Sequence, residues 1–152
     1  MERRDEAEAE AEDFPLLKTK LSYEPYLNCG DSWRRSLMTK LRVGTNTLNI
    51  EKGRWEKKQV HERVCSVCKT NQVEDEQHFL LECSGYDEAR HDLYKDLKEE
   101  KYNIQPVIGD KKKLLNALIG EGLEGRTRHV VEIVMKYIKR INTIRKRKLE
   151  KK

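Results

Sequence analysis

Three of the four cysteines, Cys65, Cys68 and Cys83, fall within nineteen positions and enclose a histidine, in the pattern Cys-x2-Cys-x9-His78-x4-Cys. Two residues between the first thiols let a tight turn aim both sulfurs at one ion, and His78 with Cys83 closes a tetrahedron around it. A disulfide framework does not cluster thiols in this way, and the acidic opening residues do not read as a secretory leader. The chain is therefore expected in a nuclear or cytoplasmic compartment, not secreted, with its thiols as ligands. Cys65, Cys68, His78 and Cys83 predict one Zn2+ in a Cys3His shell, with bonds of about 2.3 Å to sulfur and about 2.0 Å to nitrogen. All four positions are filled by protein, so no water is activated and the metal is expected to be structural. Three thiolates on Zn2+ leave a charge of about −1, which Arg63 and Lys69 can offset. The competing reading is three buried thiols beside a surface histidine. His61, four positions before Cys65, is a rival nitrogen ligand, and Cys29, thirty-six positions before it, reads as a lone packed or exposed thiol.

Around this site the chain has little to bury. Charged residues make up 39% of its 152 positions and hydrophobic types 36%, which disfavours a large apolar core or a buried sheet. The fold class expected is mainly α, a small helical domain stapled by the knuckle, with disordered ends. Met1 to Asp13 form an acidic tail, and residues 14–101 form the knuckle domain. Within it, Asp31 and Ser32 offer cap chemistry for a helix whose Trp33, Leu37 and Leu41 lie on one stripe and which Gly44 ends. Thr45 to Val64 reads as loops and short turns anchored by Leu48, Ile50, Trp55 and Val60. Glu74, Asp75 and Glu76 open a short helix with His78 near its start and Cys83 near its end, and Ala89, Leu93 and Leu97 mark another. Helices are expected over 102–144: one capped by Asp110 and carrying Leu114, Leu115, Leu118 and Ile119, then a break at Gly120, Gly122 and Gly125, then a long one. The seam Val130, Val134, Tyr137, Ile141 and Ile144 suits the core or, alternatively, a helical protein partner. Residues 145–152 read as a basic tail, able to bind nucleic acid, serve as a nuclear-localisation signal or fray in solvent.

Several blocks resemble a known family in its own order: Lys40-Leu41-Arg42-Val43-Gly44-Thr45, Leu48 to Trp55, Glu62 to Cys68, Val73 to Cys83, then Tyr86 and Arg90. Over residues 25–97 the chain is similar to the zinc-binding C-terminal region that follows the polymerase in reverse transcriptases of LINE-like, non-long-terminal-repeat retrotransposons. The resemblance implies that Cys65, Cys68, His78 and Cys83 bind zinc and that basic residues nearby contact phosphates of RNA or DNA. It does not extend to the polymerase, whose Tyr-x-Asp-Asp carboxylates have no counterpart here.

Charge patterning agrees with a nucleic-acid partner. Residues 32–64 carry nine bases against three acids and 136–152 nine against one, whereas 74–101 carry ten acids against four bases. Basic blocks displace counterions from a phosphate backbone, although each can equally be a solvated helix face. The expected contacts are Arg34, Arg35, Arg42, Arg54, Lys57, Lys58 and Arg63, with Trp55 either stacked on a base or buried. A zinc-stapled protein-interaction scaffold is the alternative. No Gly-rich phosphate loop, acid–base pair or nucleophile elbow occurs, so no enzymatic activity is expected.

Overall fold

The computed structural model describes residues 24–123 and 126–151. The acidic tail expected over 1–13 and the expected break at Gly125 lie outside them. The fold is mainly helical. Helix α1 (Ser32–Val43) starts where the Asp31 carboxylate accepts the Arg34 N–H at 2.8 Å and stops at Gly44, whose φ of 69° suits a residue without a Cβ. Helix α2 (Asn49–Trp55) corrects the expectation of loops over 45–64. No side chain of its own caps it; the Glu74 carboxylate accepts the Asn49 N–H at 2.8 Å and the Glu74 carbonyl accepts the Ile50 N–H at 3.1 Å. A helix whose first donors are satisfied from twenty-five positions away leaves no local signature.

Helix α3 (Asp87–Glu99) buries Ala89, Leu93 and Leu97, as its spacing predicts, and α4 (Lys111–Ile119) is capped by Asp110, which accepts the Lys113 N–H at 3.2 Å. Helix α5 (Arg128–Glu150), the longest helix among the described residues, packs against both α1 and α3. Its seam residues Val130, Val134, Tyr137 and Ile141 are all buried in the chain's own core. Of the two uses expected of the seam, core packing is the one these residues serve here. Core residues run from Tyr26 to Ile141 in one cluster that includes Leu97, Tyr102 and Leu118, so packing does not divide near residue 101. No helix among the described residues is long and apolar enough to cross a membrane.

The basic stretch from residue 145, expected as a disordered tail, instead continues α5 to Glu150. Arg145 faces inward and forks onto Glu74, with Nε 2.7 Å from Oε1 and Nη2 2.9 Å from Oε2, and Nη2 also reaches the Thr47 carbonyl at 3.2 Å. Both side chains are almost fully buried. Removing one partner strands a buried charge, so Arg145→Ala is expected to cost about 3–5 kcal/mol in urea unfolding. A joint Arg145→Met, Glu74→Gln change is expected to cost clearly less than the two single changes summed, and strict additivity would mean the pair is not coupled.

Candidate metal centre

Two short pieces of backbone carry the four candidate ligands. Cys65 and Cys68 sit on a hairpin closed by an antiparallel bridge between Val64 and Val73, with the Cys65 N–H on the Gln72 carbonyl at 2.8 Å. His78 and Cys83 bracket a π-helical turn, His78–Glu82, in which the Cys83 N–H bonds back to the His78 carbonyl at 2.8 Å. Asp75 caps this turn by accepting the His78 N–H at 2.7 Å. Arg90 holds its far end, with Nη2 on the Cys83 carbonyl at 2.8 Å and Nε on the Leu80 carbonyl at 3.3 Å. The Tyr137 hydroxyl of α5 also donates to Leu80, and Tyr86 packs edge-on against Phe79.

These elements bring the ligand atoms of Cys65, Cys68, His78 and Cys83 within 4.8 Å of one another, a group that can hold a metal ion. Cys65 Sγ lies 3.8 Å from Cys83 Sγ, and Cys68 Sγ lies 3.4 Å from His78 Nε2. A tetrahedron with bonds of about 2.3 Å to sulfur and about 2.0 Å to nitrogen has edges of about 3.8 Å and about 3.5 Å, so the donor set fits an ion of that size. None of these cysteines forms a disulfide. His61 is exposed and Cys29 is buried elsewhere in the core, so neither belongs to the group.

The four groups hold their protons unevenly. The Cys83 thiol hydrogen-bonds Cys65 and holds it far below the usual thiol range, to about 3, while Cys83 is pushed up by the same bond and by burial. At Cys68 burial works against ionisation, but the Thr70 hydroxyl and backbone amide bring the thiol down. His78 is raised to about 9, first by Cys65 against the cost of burial and then by Cys68. The other ring nitrogen, Nδ1, has no hydrogen-bond partner and lies 3.6 Å from Glu82 Oε2. Glu82 is itself held by Gln77 Nε2 and Lys111 Nζ, each at 2.8 Å, so a fixed carboxylate stands behind the imidazole.

Gly85 is required where the two pieces meet. A Cβ there would stand 2.4 Å from Val67 of the hairpin and 3.2 Å from Lys148 Nζ of α5. Lys148 thereby brings a positive charge to the rim beside Cys83, a role expected of Arg63 and Lys69. Arg63 is instead turned inward, 2% exposed, donating to the Lys58 carbonyl at 2.8 Å and the Ile50 carbonyl at 3.2 Å.

The expected phosphate contacts separate into three groups. Arg63 and Arg42 are buried, which corrects their placement on an open surface: Arg42 pairs with Glu24 at 2.9 Å and lies over the Tyr26 ring. Arg34 and Arg35 are half-buried at the start of α1, where Arg34 faces Asp31 and Arg35 donates to the Gly30 carbonyl at 2.7 Å. Arg54, Trp55, Lys57 and Lys58 are exposed together at the end of α2, with Arg54 bonded to Glu51 and Lys58 to Glu56. Sequence reasoning missed Glu82, Lys148 and the inward Arg145, whereas Asp75 at the start of the turn and Tyr86 and Arg90 beyond it were among the residues it picked out.

Comparison with models of protein families, with curated proteins and with solved structures finds no match for this chain. The geometry thus stands on its own residues. Removing the carboxylate behind the imidazole, by Glu82→Ala, is expected to weaken metal binding about 10- to 100-fold while leaving its stoichiometry unchanged, as measured by competition titration against Co2+.

Proposed function

We propose that the chain is a nucleic-acid-binding zinc-knuckle module, of the kind the sequence resemblance to LINE-like reverse transcriptases implies. Cys65, Cys68, His78 and Cys83 hold one Zn2+, the ion that three soft thiolates and an imidazole favour in a reducing nuclear or cytoplasmic setting. When bound, the ion supplies a cross-link between hairpin and π turn, with no position left for a reacting water. Its task is to hold a surface in place.

Trp55 carries the reading. Its indole is 82% exposed at the end of α2, among Arg54, Lys57 and Lys58. The helix that presents it is tied to the knuckle hairpin: Asn49 Nδ2 donates to the Val64 carbonyl at 2.7 Å, and Arg63 joins the hairpin to Ile50. A large apolar ring left in water on an anchored element, flanked by cations, is a stacking platform for an unpaired base with phosphates on either side. Burial of Arg42 and Arg63 leaves this face with fewer cations than the sequence suggested, all of them at one end of one helix.

Native mass spectrometry is expected to find one zinc per chain, reduced in His78→Ala, with helicity falling on chelation; unaltered helicity in metal-free reduced protein would remove the site. Single-stranded RNA or DNA is expected to bind in a salt-dependent manner. If Arg54, Lys57 and Lys58 each meet a phosphate, affinity falls about 20-fold between roughly 50 and 200 mM salt, from a log–log slope of about −0.7 per phosphate. Trp55→Ala is expected to cost a further ~1–3 kcal/mol of binding with unchanged circular dichroism.

A further inference from the structure

The basic face of α5 contains cations of two kinds. Arg140 pairs with Asp92 of α3 at 2.6 Å and lies 3.9 Å from Glu88, and Arg145 is consumed by Glu74. Lys139 and Lys146 have no salt bridge among the described residues, and neither has Lys40 of α1. Instead both α5 lysines turn toward Trp33, with Nζ 5.4 Å and 5.9 Å from the centre of its ring. Trp33 is 42% exposed, although its spacing places it on the apolar stripe of α1.

Trp33 forms one wall of a groove of about 120 Å3 between α1 and α5, whose rim holds Lys40 and Lys146 and whose floor reaches Phe79 of the π turn. Asn142 also lines it. That side chain is only 7% exposed and has no hydrogen-bond partner among the described residues. The amide atoms are not sealed from solvent, so a nearly buried side chain keeps its polar end open to the groove, placed to bond a group that enters it. Its carbonyl and NH2 offer an acceptor beside donors, a pattern that matches the edge of a base, adenine most readily.

We infer that the groove between α1 and α5 is a second subsite for single-stranded nucleic acid, taking one base against Trp33 with its edge on Asn142 and the flanking phosphates on Lys40, Lys139 and Lys146. An aromatic face, an unpaired amide and three unpaired cations converge there, and together they match a base with its phosphates better than a simple anion or an apolar helix. The lysine stems are flexible, so an incoming base can displace an ammonium group from the ring toward a phosphate. The inference rests on the nucleic-acid reading above but uses none of the residues around Trp55. Asn46, Thr47 and Leu48 line the end of the groove and lead directly into α2, so one strand can run from Trp33 toward Trp55.

The test is fluorescence anisotropy of the full chain, zinc-loaded, with labelled twelve-nucleotide adenylate RNA and its DNA counterpart at several salt concentrations. Trp33→Leu is expected to weaken binding roughly tenfold or more, and the exposed pair Lys40→Ala, Lys146→Ala to flatten the log–log salt slope by about 1.4, at about 0.7 per phosphate. Asn142→Ala is expected to reduce the preference for adenylate over uridylate RNA. The lysine pair decides the matter if Trp33→Leu loses helicity. Wild-type affinity and slope in the lysine pair, with binding lost only in Trp55→Ala, would overturn the groove and leave the α2 surface standing. No salt-dependent binding by the wild type overturns both. An oligoglutamate competing as well as the oligonucleotide would reduce the groove to a charge patch and also overturn it.

Discussion

Glu74 is the point at which the three parts of the molecule are joined. One carboxylate, buried completely, accepts two bonds from Arg145 of α5 and one from the first amide of α2. Its own backbone pairs with Arg63 on the hairpin and with Ile50 on α2. A carboxylate in such a place is tolerated only because its partners are fixed and numerous; each bond removed raises the cost of those that remain. The hairpin of the Cys3His group, the short helix and the long helix therefore share one electrostatic anchor. An ion held by the Cys3His group would be a second staple, of a different chemistry.

The opposed charge blocks of the sequence acquire meaning from this packing. The acidic run includes α3 and the basic run belongs to α5, and the two helices lie against each other with Arg140 set on Asp92 and Glu88. Part of the basic excess is spent inside the molecule. Of what remains on α5, Lys139 and Lys146 stand toward Trp33 of α1 and Lys148 beside the Cys83 end of the Cys3His group.

What was legible in the sequence was what depends on neighbours in the chain. Asp31 and Gly44 mark the ends of α1, Asp110 marks the start of α4, the spacing of Ala89, Leu93 and Leu97 marks α3, and the four ligands announce their cluster. The fates of Arg42, Arg63 and Arg145 were not legible, because a guanidinium goes inside only when carbonyls and carboxylates wait there, and Arg145 and Glu74 are seventy-one positions apart. In the run Arg145-Lys146-Arg147-Lys148 nothing local distinguishes the residue that anchors the core from those that meet solvent. Helix α2 was hidden for the same reason, its cap being borrowed from Glu74. Trp33 and Trp55 misled in the opposite sense, since tryptophan is more often buried than displayed.

The π turn between His78 and Cys83 bears on how such a site can change over generations. A π turn is an α-helical turn that has absorbed one extra residue, and the extra residue here swings Cys83 round to the same side as His78. Losing one residue from Phe79 to Glu82 would leave an ordinary helical turn with histidine and cysteine four apart, still on a common face. Because the bulge absorbs the extra residue, the same loss would leave Tyr86 and Arg90 close to their present register with Phe79 and the Leu80 and Cys83 carbonyls. The stretch between His78 and Cys83 can thus shorten by one residue with both side chains still on one face and the downstream contacts in place, which makes the turn a point at which the spacing of the cluster can change.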